Sequence, residues 1–324
     1  MCLARWRPGS GAYDRRVMAG EAGGRAGATA SAVGGASEIF APGLLSGKVA
    51  LVTGGGTGLG RATALEFVRC GAHAVIAGRR AEVLEEAVGS IQASVAGVEG
   101  AGAADWVSGD VREREDADRL VTTMLEQCGR LDVLVNNAGG QYFTPAELIA
   151  AKGWRAVWRL NVEGMLNMCE AACELALRPA GGGTIINVTL SPHHGMPGMA
   201  HSGAARASVE ALTRELAERW RGVDVHVSAV AAGHFETEVL AKYPASVRAG
   251  TARSIPLQRM GRPIEHAWLV TLLASPVGRA FNGSTVTLDG ARDNWAGRWP
   301  PPGLADEAGE VPVEGRKPTP AGSS

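Results

Sequence analysis

Between residues 41 and 295 the apolar positions follow two alternating rhythms. Short, nearly unbroken apolar runs fall at 49–53, 73–77, 104–109, 131–136, 183–188, 224–230 and 284–288. The first six show no polar face, the pattern of parallel strands buried on both sides. The stretches between them carry apolar residues three and four apart. That spacing predicts helices over about 59–70, 80–95, 114–128, 153–177, 203–221 and 263–274. Strand and helix in strict alternation imply right-handed crossovers. The fold class is therefore α/β, a doubly wound parallel sheet of about seven strands flanked by helices. No internal repeat of solenoid length interrupts the pattern.

The first strand runs into a glycine-crowded turn. Lys48-Val-Ala-Leu-Val-Thr53 leads to Gly54-Gly-Gly-Thr57-Gly58-Leu59-Gly60, and a helix starts at once. A helix N-terminus presents unpaired N–H groups and a positive dipole end, suited to the pyrophosphate of a dinucleotide. Glycine lets the backbone approach the phosphates with no Cβ in the way. In a chain with 45 glycines a cluster alone could mark an ordinary loop. Strand before and helix after favour a single Rossmann-type domain with a nucleotide site. The second strand ends Val75-Ile-Ala-Gly78-Arg79-Arg80, and no acid precedes Glu82. An acid here would bind the ribose hydroxyls of NAD, whereas arginine accommodates a 2′-phosphate. Arginine is also unfavourable at a helix start without an anion nearby. NADPH is the cofactor expected.

Composition narrows the class. The 324 residues are 45% hydrophobic and 20% charged, with formal net charge −1. Such a balance gives no electrostatic footprint for nucleic acid or an anionic membrane. No apolar stretch is long enough to span a bilayer. Five cysteines in no framework spacing fit a reducing compartment, and Cys169 and Cys173 read as core-facing rather than metal-binding. His193 and His194 have no third ligand at metal spacing, so no metal is expected. Residues 1–40 are Gly- and Ala-rich, and residues 296–324 are rich in Pro and Gly; both read as disordered tails around a 41–295 domain. Arg15-Arg16 has no apolar segment after it, which argues against an export signal. A weak organellar transit peptide and an upstream start codon, with Met18 as the true beginning, are both open readings. The chain does not end in a peroxisomal signal, so a cytoplasmic location is expected.

Several motifs now occur together. Thr53-Gly54-x-x-x-Gly58-Leu59-Gly60, Asp110-Val111, Asn136-Asn137-Ala138-Gly139 and Asn161-Val162-x-Gly164 stand in the order and spacing of the short-chain dehydrogenase/reductase family. Arg259-Met-Gly261-Arg-Pro263 and Asn282-Gly283 through Asp289-Gly290 also resemble it, over about Ser46 to Gly290. Ala41 to Gly47, Gly139 to Glu147 and His201 to Ala207 are similar to the peroxisomal trans-2-enoyl-CoA reductase branch, with dienoyl-CoA reductases as cousins. The resemblance implies that Asp110 and Val111 bracket the adenine, that Asn137, Ala138 and Gly139 line the cofactor, and that Asn161 holds a relay water. It further implies that Gly233 and Thr237 stand at the pyrophosphate or carboxamide, with 235–258 as a substrate lid carrying Phe235 and Tyr243. Gln141 and Tyr142 are expected to border the pocket. Arg155 and Arg159 read as a solvated face or as contacts for coenzyme A phosphates. Family members are commonly tetramers, so a homo-oligomer is expected.

The chain departs from this family where the chemistry should sit. Ketoreductases of the family carry Tyr-x-x-x-Lys on the long helix after the fifth strand. Alignment puts Ser202 at the tyrosine and Arg206 at the lysine; Thr189 matches the family serine, with Ser191 as the neighbouring alternative. The three tyrosines (Tyr13, Tyr142, Tyr243) all lie elsewhere. Glu210 stands where the enoyl reductases place a tyrosine, and reads as solvated or paired. Ketone reduction develops an alkoxide of conjugate-acid pKa about 16 and leans on a positioned acid. Reduction of a C=C conjugated to a thioester develops an enolate, which mainly needs hydrogen-bond donors worth roughly 3 kcal/mol each. Thr189, Ser191 and Ser202 supply such donors, and Arg206 could clamp the ribose.

The expected activity is thus NADPH-dependent reduction of trans-2-enoyl-CoA or an acyl-carrier thioester. Asn161, Thr189, Ser202 and Arg206 would carry it. Two alternatives stay open: a 3-oxoacyl or other carbonyl reductase with His201 as acid, and a catalytically silent NADPH-binding protein. The plain reading of His201 is a helix-start residue facing solvent or a subunit interface.

Overall fold

Seven strands build the sheet: β1 (Val49–Thr53), β2 (His73–Gly78), β3 (Ala103–Ser108), β4 (Val133–Asn136), β5 (Gly183–Leu190), β6 (Val225–Ala232) and β7 (Thr285–Leu288). All pair in parallel, in the order β3-β2-β1-β4-β5-β6-β7. The computed structural model describes residues 35–191, 193, 198–241 and 250–294, within the unit Gly34–Ser324. The expectations for residues 1–34 and 296–324, and for Tyr13, His194 and Tyr243, lie outside these residues.

The connections are α1 (Gly58–Arg69), α2 (Ala81–Ser94), α3 (Arg114–Cys128), α4 (Ala151–Trp158), α5 (Gly164–Ala172), α6 (Ala200–Trp220), α7 (Glu238–Ala241) and α8 (Pro263–Ala274). The helix expected over 153–177 is α4 and α5 joined by a π turn, Arg159–Glu163, with a second π turn at Cys173–Leu177. Each π turn wraps one extra residue and re-aims the side chains around it. Helix α8 explains part of the Arg259–Pro263 motif. Pro263 takes the first turn, and the Glu265 carboxylate accepts from Arg262 N–H and pairs with Arg259.

Strand side chains alternate between two cores. Val49 and Leu51 join α3, α4, α5 and α6 on one face; Ala50 and Val52 join α1, α2 and α8 on the other. Helix α3 shows the logic: Ala117, Leu120, Val121 and Met124 are its buried stripe, and Gly129 closes it in a left-handed conformation. Each fully buried Leu or Met of this kind contributes about 2 kcal/mol of transfer free energy. Cys169 and Cys173 are both fully buried in this core. Strand β3 departs from the doubly buried pattern. It is an edge strand, and Ala103 and Asp105 are exposed because no neighbour covers that side. No helix among the described residues is long and apolar enough to cross a membrane, and none of their His, Cys, Asp and Glu side chains cluster as a metal site. Strand order reverses between β1 and β4, which opens a crevice at their C-terminal ends.

Candidate functional site

The glycine turn fills that crevice from below. Gly54 and Gly58 have φ of 65° and 53°, a region that strongly favours glycine. A Cβ on Gly60 would overlap the Gly54 carbonyl oxygen and Asn137 Nδ2. Thr53 and Asn137 stitch β1 to β4: Thr53 Oγ1 accepts from the Asn137 and Ala138 N–H groups at 3.1 and 3.0 Å. Asn137 Nδ2 donates to the Thr53 and Gly54 carbonyls at 3.0 and 3.2 Å. Thr57 is the N-cap of α1 and makes no side-chain cap, so the helix N–H groups face outward, with Leu59 behind them packed on the core. One of these groups, Gly58 N–H, donates to Glu238 Oε2 at 3.2 Å, and Arg61 pairs with the same carboxylate. An anion thus already sits at the helix terminus. Thr237 lies beside it, its methyl group against Gly58.

Arg79 and Arg80 are exposed at the end of β2; neither guanidinium is hydrogen-bonded or ion-paired among the described residues, although Arg79 adds to the positive field on Asp110. Asp110 is held by Arg112, whose guanidinium keeps the carboxyl below its usual range. Val111 packs against Gly164, where any Cβ would strike it. That contact accounts for the glycine in Asn161-Val-x-Gly164. Gly233 similarly lies against Asp289.

Helix α6 brings the next group of residues together. Ser202, Arg206 and Glu210 repeat at four-residue spacing and share one face. Arg206 Nη1 donates to the Val188 carbonyl at 2.8 Å, while its Nε is sealed from solvent without a partner. Burial pushes this guanidinium down to about 10, which leaves it a cation at neutral pH. A Cβ on Gly139 would overlap Arg206 Nη2 and crowd Asn161 Oδ1. Asn161 stands in the first π turn and is spent largely on backbone. Its Nδ2 donates to Gly140 and Val157 carbonyls at 2.8 and 2.7 Å, and Gly140 N–H donates to its Oδ1 at 3.2 Å. One lone pair of that oxygen remains for water. Ser202 is fully buried, and its hydroxyl has no hydrogen-bond partner among the described residues.

His201 does not face solvent, which corrects the plain reading of it. Helix α6 begins at Ala200, so the ring lies inside the first turn and is 1% exposed. It stands edge-on to Tyr142 at 4.5 Å and to Trp154 at 6.1 Å between centroids, with neither nitrogen paired among the described residues. Burial lowers its pKa, so the neutral imidazole prevails. Phe235 is likewise no lid residue. It is 5% exposed, with its ring on Gly261 and His266. Gln141 and Tyr142 are exposed beside the 137–140 loop. Arg159 is paired with Glu113 at 2.9 Å.

A polar cluster behind Thr189 escaped sequence reasoning. Thr189 Oγ1 lies 3.2 Å from both the Arg206 carbonyl oxygen and Glu210 Oε1. Glu210 is paired, not solvated: His193 Nε2 meets the same Oε1 at 3.0 Å, and His193 Nδ1 meets Asp293. Burial raises the Glu210 carboxyl, while the two carboxylates hold the His193 imidazole above its ordinary value against its own burial. Ser191 is bonded to Asp289 instead. The only sequence signal was the His193-His194 pair in an insert after β5; the carboxylates that meet His193 lie further along the chain.

Comparison with known proteins agrees with this architecture. A family model described as short chain dehydrogenase matches residues 48–247. The peroxisomal 2,4-dienoyl-CoA reductase of Arabidopsis thaliana is 34% identical over 262 residues, spanning 78% of this chain and 86% of that protein. A 3-oxoacyl-acyl-carrier-protein reductase of Thermotoga maritima is 32% identical over 247 residues, 76% of this chain and 98% of the other. The solved structure of a citronellol catabolism dehydrogenase from Pseudomonas aeruginosa superposes with a TM-score of 0.69 at 38% identity, covering 79% of this chain and 98% of that one. The chain belongs to the short-chain dehydrogenases, oxidoreductases built around a nicotinamide cofactor.

Proposed function

We propose that the protein uses NADPH to reduce the C=C bond of a trans-2-enoyl thioester, carried on coenzyme A or a carrier protein. The observation that carries this reading is the Ser202 hydroxyl, fully buried and unpartnered on the α6 face that also bears Arg206. A buried hydroxyl without a partner is costly unless a ligand completes it. As a donor it suits an enolate oxygen, and it is far too weak an acid to replace a phenol in ketone reduction. The glycine turn, the helix terminus that holds a carboxylate, and the Gly139 contact with Arg206 fit a dinucleotide. The unpaired Arg79 and Arg80 support the 2′-phosphate form. Bound NADPH would supply the hydride. Arg206 and Asn161 would orient the ribose end of the cofactor and hold a water, with Ser202 directed at the thioester oxygen and Thr189, whose hydroxyl is bonded to Glu210, serving the neighbouring carbon. Dienoyl-CoA reductase activity in the Arabidopsis relative supports conjugated thioesters as the substrate class. Half-exposed Trp154 and Trp158 on α4 support a homo-oligomer.

A second reading, a 3-oxoacyl thioester reductase with His201 as acid, draws on the unpaired His201 nitrogens and the Thermotoga relative. The lowered His201 pKa weakens it. The experiment is NADPH oxidation with crotonyl-CoA, a longer 2-enoyl-CoA and acetoacetyl-CoA, alongside NADPH binding. Turnover of the enoyl thioesters alone supports the main reading. Acetoacetyl-CoA turnover supports the second, and binding without any turnover means a silent cofactor-binding protein. Within the main reading, Ser202→Ala lowers kcat about tenfold to hundredfold; unchanged turnover would remove Ser202 from the mechanism.

A further inference from the structure

Polar side chains run in a line from the end of β5 to the surface. Thr189 is 2% exposed, and its hydroxyl lies 3.2 Å from Glu210 Oε1. The same oxygen lies 3.0 Å from His193 Nε2, and His193 Nδ1 meets Asp293. Side-chain exposure rises from 12% at Glu210 to 34% at His193, so the line is closed at the site and wet at its far end. An imidazole between two carboxylates satisfies both only as the doubly protonated ring. Glu210 Oε1 touches both Thr189 and His193, so one carboxyl group can take a proton from one and give it to the other. Glu210 shares the α6 face of Ser202 and Arg206, and Thr189 meets that face at the Arg206 carbonyl.

We infer that Thr189, Glu210 and His193 form a proton relay that returns a solvent proton to the reduced substrate, with Asp293 positioning the imidazole. The inference rests on the reductase reading above. After hydride has reached Cβ, the enolate forms its Cα–H bond with the Thr189 proton as that O–H breaks. Glu210 Oε1 takes the His193 Nε2 proton and passes a proton to Thr189 in the same event, so that it ends, as it began, a carboxylate. Solvent restores the imidazolium. One hydride and one solvent proton are thereby added across the C=C, and no further reactant is needed. The charged and titratable groups around the line are Arg206 and Arg214 one turn either side of Glu210, His193 and Asp293 beyond it, and Asp289 next to Ser191.

The test uses the full chain and three variants: His193→Gln, Glu210→Gln and His193→Ala. Rates are followed with crotonyl-CoA and NADPH over pH 5.5–9, and the His193 ring is titrated by NMR without ligands. In the wild type, kcat falls as pH rises through the His193 titration, which lies above the ordinary value of about 6.5. His193→Gln and Glu210→Gln lower kcat about tenfold to hundredfold and flatten that limb. KM and the NADPH Kd stay within about threefold, which a collapsed site would not allow. Added imidazole restores part of the His193→Ala rate, and the His193 titration moves down in Glu210→Gln. Wild-type turnover with kcat and pH profile unaltered in the variants overturns the relay alone, as does a His193 that titrates at its ordinary value and ignores Glu210→Gln. Absence of thioester turnover in the wild type overturns the reading of the site and the relay with it.

Discussion

Replacing Arg206 with methionine separates what the guanidinium does to the fold from what it does for the site. Burial pushes its pKa down by more than two units, to about 10. At about 1.4 kcal/mol per tenfold change, holding that charge costs the folded state roughly 3 kcal/mol at neutral pH. The opposing contribution is one bond of 2.8 Å from Nη1 to the Val188 carbonyl. Losing a charged bond of this kind costs about 1.5–3 kcal/mol. Methionine keeps the length and apolar stem of the side chain and adapts to the space. The charge cost is the larger, so Arg206→Met leaves stability unchanged or raises it by up to about 1.5 kcal/mol, a Tm gain of up to about 5 °C. The cofactor responds in the opposite direction. Arg206 Nη2 lies against Gly139 in the cofactor loop, so NADPH affinity falls at least about tenfold. Urea unfolding without cofactor reads the first effect, and a fluorescence titration with NADPH reads the second. A stability loss beyond about 2 kcal/mol would refute the charge-burial reasoning; unaltered NADPH affinity would take Arg206 out of the cofactor site.

Arg79→Ala should raise the NADPH Kd by about tenfold or more and leave NADH within about threefold, because only NADPH carries the 2′-phosphate; equal losses for both cofactors would contradict the assignment. His266 is fully buried, and burial lowers its pKa to about 4. A histidine with a depressed folded-state pKa gives stability that is full above its unfolded value of about 6.5 and is lost as pH falls toward about 4. The urea midpoint should therefore drop across that window, and His266→Gln should show a shallower drop; parallel curves for the two proteins would sink the idea.

Features set by local backbone rules were legible in the sequence. The glycine turn needs no distant partner to be recognised, since strand, turn and helix follow one another within a few residues. The doubly wound parallel sheet and the two-faced core followed from alternation, and helix α3 kept its expected bounds. Edge effects were not legible. Strand β3 reads as apolar as its neighbours, and only its place in the sheet exposes Asp105. The π turns were invisible for a similar reason, because one extra residue in a long amphipathic helix leaves its spacing nearly intact. The cluster draws Thr189 from β5, His193 from the insert after it, Glu210 from α6 and Asp293 from beyond β7, with His193 and Asp293 100 positions apart. Charge patterning along the chain carries no trace of such a pairing. His201 escaped because its burial depends on Tyr142 and Trp154 from other elements.

The carboxylate of Glu238 on the first N–H of α1 changes how cofactor binding is to be understood. Gly58 N–H and Arg61 already share an anion from within the chain. A pyrophosphate arriving at that terminus competes with a tethered rival, so the observed affinity is the difference between two anions on the same donors. Weakening the resident should tighten the visitor without adding a single contact. Under the proposed cofactor reading the helix terminus would work as an exchanger, and the strength of its grip on the cofactor would be set partly by what it must first let go.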